Sequence, residues 1–321
     1  MKILKRILLV VFLLVLIGSA VGFYYFKSKW VPLPNALTVS SGKGIIPWVW
    51  TNAESSKRTA LLIPIKFTGV DHTFYLQFDT GSPSSLVYHK PLQSIQQKYP
   101  QFKINRIPDA PKYLANLEFS LDKVVVKSAK MSILDYGKFI DWKKPNRKII
   151  VGTLGNDFLE KKKILLNFKT STLVIFDKLS SDLRSKLHLV DFSFTDRRIY
   201  VMGQMSGNSV KLMYDSGASA YSLITDHKTW KKLMAPQSKI ITHQGNSWGN
   251  KLQVRTAPSQ YHIIFDNLRL PLHTVTYIDG THWTQNLLMR LSGMAGMIGN
   301  EIFRNQSVYI DAQHKQFALV K

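Results

Sequence analysis

Phe78-Asp79-Thr80-Gly81-Ser82 and Tyr214-Asp215-Ser216-Gly217-Ala218 are two copies of one acidic signature. Each closes an apolar strand and each runs into an apolar step, Ser85-Leu86-Val87 after the first and Ser222-Leu223-Ile224 after the second. One such tripeptide is an ordinary turn, in which Asp accepts local backbone hydrogen bonds and Gly supplies backbone freedom. Two in matching contexts place a pair of carboxyls where they share a proton and activate a water.

Reading outward from the two Asp shows a duplication. Each copy is preceded by a predicted hairpin, residues 59–67 and 73–78 around Thr68-Gly69, and residues 198–205 and 209–214 around Ser206-Gly207, with Gly suited to the positive φ of tight hairpins. A short helical signal follows each: Pro91 ahead of Leu92, Ile95 and Tyr99, and Thr225 or Asp226 as the cap of a turn with Trp230 and Leu233. Further on, Leu121-Asp122-Lys123-Val124 matches Phe265-Asp266-Asn267-Leu268, and Gly152-Thr153-Leu154-Gly155-Asn156-Asp157-Phe158-Leu159 matches Gly296-Met297-Ile298-Gly299-Asn300-Glu301-Ile302-Phe303, both at a spacing of 144 residues. The two Asp are only 136 apart, so the second copy holds eight extra residues, placed at the tip Gly245-Asn246-Ser247-Trp248-Gly249-Asn250.

The expected organisation is a signal anchor over 1–26, a tether over 27–56, and homologous lobes over 57–178 and 179–321, with a Ser- and Lys-rich connector at 177–189. Residues 7–26 carry no charge and span about 30 Å as a helix, the thickness of a hydrocarbon core. Lys2, Lys5 and Arg6 precede them and Tyr24, Tyr25 and Trp30 supply interfacial aromatics, the pattern of a single-pass, N-in transmembrane anchor. The alternative is secretion after cleavage at Gly18-Ser19-Ala20. Either way the rest of the chain is extracytoplasmic, periplasmic or extracellular. The tether, rich in Pro and Gly, has a second reading as a short basic prosegment whose Lys43 occupies the acidic site.

The 321 residues contain no cysteine, which excludes disulfides, thiolate metal sites and cysteine nucleophiles. Nine His show no metal-ligand spacing, so no metal or cofactor is expected, and His89-Lys90 and His227-Lys228 read as helix-entry residues. A net charge of +23 favours encounter with anionic envelope surfaces or acidic substrates. Its Lys and Arg are spread through every segment rather than gathered on a recognised module, so nucleic acid is not an expected partner.

Taken together, these segments resemble the bilobal, pepsin-like aspartic peptidases, with details closer to the single-lobed retroviral type. Asp79-Thr80-Gly81-Ser82 before Leu86-Val87 looks like the family's first active-site segment and Asp215-Ser216-Gly217-Ala218 before Leu223-Ile224 like the second. Leu154-Gly155 and Ile298-Gly299 match the segments that cross beneath each active-site loop. The resemblance covers 57–321 and implies a mostly β fold of two β-barrel-like lobes with a cleft between them, behind an N-terminal transmembrane helix. It implies an aspartic endopeptidase acting on a polypeptide substrate through Asp79 and Asp215, without cofactor. Thr80 and Ser216 would cross-link the two loops, Gly81 and Gly217 would offer N–H groups to the carboxyls, and Ser82 would hydrogen-bond Asp79, where Ala218 has no hydroxyl. That asymmetry, against the basic surface, implies activity from moderately acid toward neutral pH. Tyr113, on a hairpin over about 103–120, and Trp248 are the candidate substrate contacts. The competing reading is a non-catalytic module of the same fold that binds peptides or envelope polymers in its cleft.

Overall fold

The computed structural model describes residues 11–19, 21–25, 31–40, 43–53, 56–144, 147–185, 187–247, 250–280 and 292–320. Two compact units result, 1–35 and 36–321. In the first, 11–19 and 21–25 are helical and their large apolar side chains, Phe12, Leu14 and Phe23 among them, are exposed. Among the described residues no helix is long and apolar enough to cross a membrane, and residues 7–10, 20 and 26 of the expected span lie outside them.

The second unit is mostly β, in two sheets. In its first half, Ser56–Phe67 pairs antiparallel with Phe74–Phe78, whose alternation sends Phe74, Leu76 and Phe78 into the core and leaves Tyr75 and Gln77 on the other face. Leu86–Tyr88 leads into the helix His89–Lys98, which carries Pro91 in its first turn and buries Leu92 and Ile95. Ile150–Leu154 then inserts between the earlier strands, parallel to Phe74–Phe78 and antiparallel to Leu86–Tyr88. That insertion carries the chain beneath the Asp79 loop, and a Cβ at Gly155 would lie 2.6 Å from the Ser84 carbonyl carbon, so only Gly fits the crossing.

The second half repeats each step. Arg198–Met205 pairs with Asn208–Tyr214 around Ser206 and Gly207, both at positive φ, the geometry of a two-residue hairpin turn. Leu223–Thr225 leads to the helix His227–Leu233, which Asp226 caps by accepting from the Lys228 and Thr229 N–H groups. Met294–Ile298 inserts parallel to Asn208–Tyr214 and antiparallel to Leu223–Thr225.

The halves share one sheet and one contiguous core. Lys163–Asn167 pairs with Ser307–Asp311, and Leu165 faces Tyr309, its own counterpart 144 residues on, so a pseudo-twofold passes between them. Thr172–Phe176 and Gln316–Val320 flank this pair, and beyond them lie Gly44–Pro47 and Val190–Thr195. Ile46 pairs with Leu173 and Val190 with Phe317, again 144 residues apart.

The expectation of a tether over 27–56 is therefore corrected within the described residues. Gly44–Pro47 and Val49–Ala53 are the opening strands of the first repeat, and Leu37–Val39 pairs with Val124–Leu134. Pro47 ends an edge strand, where a missing N–H costs no ladder bond, which is how a Pro- and Gly-rich stretch forms strand. The connector carries a short helix, Ser181–Ser185.

Candidate active site

Both Asp stand where an inner strand ends and the crossing strand passes beneath. The Asp79 N–H donates to the Leu154 carbonyl (3.0 Å) and the Asp215 N–H to that of Ile298 (2.9 Å). The two loops then lock onto each other. The Thr80 N–H donates to Ser216 Oγ (2.9 Å) and the Ser216 N–H to Thr80 Oγ1 (2.8 Å), while the Thr80 hydroxyl donates to the Tyr214 carbonyl and the Ser216 hydroxyl to that of Phe78, both at 3.0 Å. Each hydroxyl accepts one bond and donates one across the pseudo-twofold. Both residues are fully buried, so an unmade bond here would leave polar groups dry.

This lock brings the two carboxyls together. Asp79 Oδ1 accepts from the N–H of Gly81 (2.9 Å) and Ser82 (3.2 Å), and Asp215 Oδ1 from that of Gly217 (2.9 Å). A Cβ on Gly81 would sit 2.6 Å from Asp215 Oδ1, and one on Gly217 2.6 Å from Asp79 Oδ1, so each glycine is the surface against which the opposite carboxyl lies. The two carboxyls are thereby brought face to face across the pseudo-twofold, close enough for each to act on the other's proton. Both are enclosed by protein yet keep partial solvent access. Burial, then the Asp215 charge, then the Asp215 hydrogen bond push Asp79 up to about 8. Burial also raises Asp215, against the hydrogen bonds from Asp79 and the neighbouring N–H groups. The pair therefore holds a proton well above the usual carboxylate range.

The Ser82 expectation is corrected: its hydroxyl donates to the Ser84 carbonyl (2.8 Å), and only its N–H reaches Asp79. The turn brings a carbonyl closer to that hydroxyl than the carboxyl is. A Ser82–Ala218 hydroxyl asymmetry therefore gives no basis for the pH response, which rests on burial and carboxyl proximity.

Two amides at aligned positions of the repeat support the site. Asn156 Nδ2 donates to the Thr80 carbonyl (2.5 Å) and to that of Arg197 (2.6 Å). Asn300 Nδ2 donates to Ser219 Oγ (2.8 Å) and, more weakly, to the Ser216 carbonyl (3.4 Å). Their 144-residue spacing was the available signal. Arg197, from the second half, also reaches the Pro83 carbonyl (3.3 Å) and Ser84 Oγ (3.1 Å) in the loop after Asp79.

Asn105–Ile107 and Ala110–Leu121 form the expected first-half hairpin, and Tyr113 on it packs its ring under the Lys130 ammonium, 4.2 Å away. The matching hairpin in the second half, Ile241–Ser247 with Asn250–Pro258, begins 136 residues after Asn105, and its first strand has seven residues against three, so four of the eight extra residues precede its tip. Trp248 at its tip lies outside the described residues. Both histidines of the repeated His-Lys pairs open helices, as expected, His89 beside Asp135 (3.6 Å) and His227 against the Tyr277 ring. Among the described residues no group of His, Asp and Glu is arranged to hold a metal ion. No family model matches the chain, and no curated protein is similar enough to it to count as a relative.

Proposed function

We propose that the protein is an aspartic endopeptidase of pepsin type, two facing lobes with a cleft between them, in which Asp79 and Asp215 activate a water. The observation that carries this is the reciprocal Thr80–Ser216 lock, which holds two partly accessible carboxyls side by side, each against the opposite loop's glycine. A pair bound that closely keeps one proton between them. The ionised member takes a proton from water while the protonated member donates to the scissile carbonyl, giving a tetrahedral intermediate and no acyl-enzyme. The N–H groups of Gly81, Ser82 and Gly217 hold the carboxyls in register for that exchange. The uncharged segment 7–26, with its exposed apolar helical residues, supports a membrane anchor that leaves this domain extracytoplasmic, and the +23 charge supports contact with anionic envelope surfaces.

The test is cleavage of a diverse peptide library by the purified full-length chain across pH 3 to 8, alongside Asp79→Asn and Asp215→Asn. Each substitution is expected to lower turnover by about 10³-fold or more. Because the shared proton is retained well above the ordinary range, activity should extend from moderately acid into neutral pH and fall as the pH passes about 8. Cleavage that survives both substitutions contradicts the shared dyad. Peptide binding without cleavage at any pH would identify a binding module.

A further inference from the structure

A cavity of about 210 Å³ opens in the first half, and Gln77 lines it. Gln77 lies two residues before Asp79 on Phe74–Phe78, hence on the same face of the strand. Tyr88, another wall residue, shares a hydrogen bond with Thr153 (3.0 Å), which pairs with Gln77. Burial chiefly, and more weakly the neighbouring Tyr136 and Asp79, raise the Tyr88 hydroxyl to about 12. Tyr136 closes the wall edge-on to Tyr88 at 4.9 Å, and Gly137 (φ +87°) turns the chain where a Cβ would meet the Pro91 ring at 2.7 Å.

The cavity is also cationic. Lys138, Arg147 and Lys148 line it and are exposed. Lys148 Nζ donates to the Trp50 carbonyl (2.8 Å), which leaves its charge unneutralised. One carboxylate lines the cavity, Asp141, and it is already engaged by the Lys143 N–H (3.2 Å) and the Lys144 ammonium (3.6 Å). A side chain entering beside Gln77 thus meets aromatic walls and a lining that carries three cations.

We propose that this cavity selects an acidic side chain, glutamate ahead of aspartate, on a substrate residue beside the scissile bond. The proposal rests on the peptidase reading above and adds the substrate class. The longer side chain is favoured because Arg147 and Lys148 precede Ile150, which pairs with Tyr75, so they stand farther along the strand from Asp79 than Gln77 does. The volume suits one side chain rather than a larger ligand.

The test uses peptides cleaved by the full-length protein, with Glu, Gln or Asp placed in turn on each side of the scissile bond, at pH 6, where Glu and Asp are ionised. Expected is a kcat/KM about tenfold higher for Glu than for isosteric Gln on one side only, shrinking severalfold at high salt. The double variant Lys138→Gln/Arg147→Gln should lose that preference while cleaving the Gln peptide as before. Equal rates for Glu and Gln, or a preference that survives the double variant, overturn the proposal. Affinity of the same peptides for Asp79→Asn is read separately. Glu-selective binding without cleavage by the unmutated protein would uphold the cavity and refute the peptidase reading, whereas binding indifferent to Glu or Gln refutes the cavity.

Discussion

The two halves of the site are alike where the Asp loops touch and unlike directly behind them. At the contact, Thr80 and Ser216 exchange the same four bonds in both directions. Behind it, the first half buries Asp157, which accepts from the Ser85 N–H (2.7 Å) and hydroxyl (2.6 Å), while Ser85 Oγ accepts from the Gly155 N–H (2.9 Å). The counterpart of Asp157 is Glu301, part-exposed and paired with Arg304 (2.8 Å). A bond that crosses the pseudo-twofold has its mirror image as its neighbour, so neither side changes without disturbing the other. A bond behind one loop answers only to its own half.

The largest effects should follow from breaking the lock. Thr80→Val strips the partners from the Ser216 N–H and the Tyr214 carbonyl, and Ser216→Ala strips those of the Thr80 N–H and the Phe78 carbonyl. Each should cost about 2–4 kcal/mol in urea unfolding, nearly the same for both, and lower peptide turnover with it. A cost confined to one variant would show that the lock is not reciprocal.

Behind the loops the halves should respond unequally. Ser85→Ala keeps the backbone bond to Asp157 but removes the two buried bonds of the hydroxyl, and should cost about 2–3 kcal/mol. Ser222→Ala, at the matching position, loses one long bond from Thr274 (3.4 Å) and should cost about 1 kcal/mol or less. The pH dependence sharpens the contrast. Burial raises Asp157 against the opposing Ser85 hydrogen bonds and the Arg197 charge. A carboxyl raised on folding contributes stability that is full below its unfolded value, near 3.9, and lost as pH rises through its folded value. Without the Ser85 hydroxyl that folded value climbs further, so Ser85→Ala should cost more at pH 7 than at pH 4, measured by unfolding at both. The Ser222→Ala cost should not change with pH.

What the sequence made legible was whatever a few consecutive residues encode. The Asp-(Thr/Ser)-Gly turns, the Gly155 and Gly299 crossings and the 144-residue spacing all depend on local backbone needs, and the structure brings Asp79, Thr80, Gly81, Asp215, Ser216 and Gly217 into one site. Partners that depend on the folded chain were not legible. Gly44–Pro47 looks like a linker because its Pro and Gly mark turns, until the shared sheet gives it an edge to occupy. The Ser82 hydroxyl suits a carboxyl or a carbonyl equally by residue type, and turn geometry alone brings it to the Ser84 carbonyl. Asn156 and Asn300 sit at matching positions, but an amide between two loops acquires a role only once both are in place.

These two amides also differ, in a way that one hydroxyl explains. Asn300 Oδ1 accepts from the Tyr214 hydroxyl (2.7 Å), whereas Asn156 Oδ1 is buried without a hydrogen-bond partner among the described residues. The counterpart of Tyr214 is Phe78, whose ring lacks the donor. Tyr214→Phe should therefore make the second half resemble the first and cost about 1–2 kcal/mol, the penalty for leaving one buried acceptor dry. Phe78→Tyr is the reverse exchange. A new hydroxyl on a fully buried ring is ordinarily costly, because it must be both accommodated and bonded. Here it meets an acceptor already without a donor, so the variant should unfold at the same urea concentration as the parent or a higher one. Should Phe78→Tyr lose as much stability as Tyr214→Phe, the Asn156 carbonyl is satisfied by other means and the halves are more alike than their residues imply.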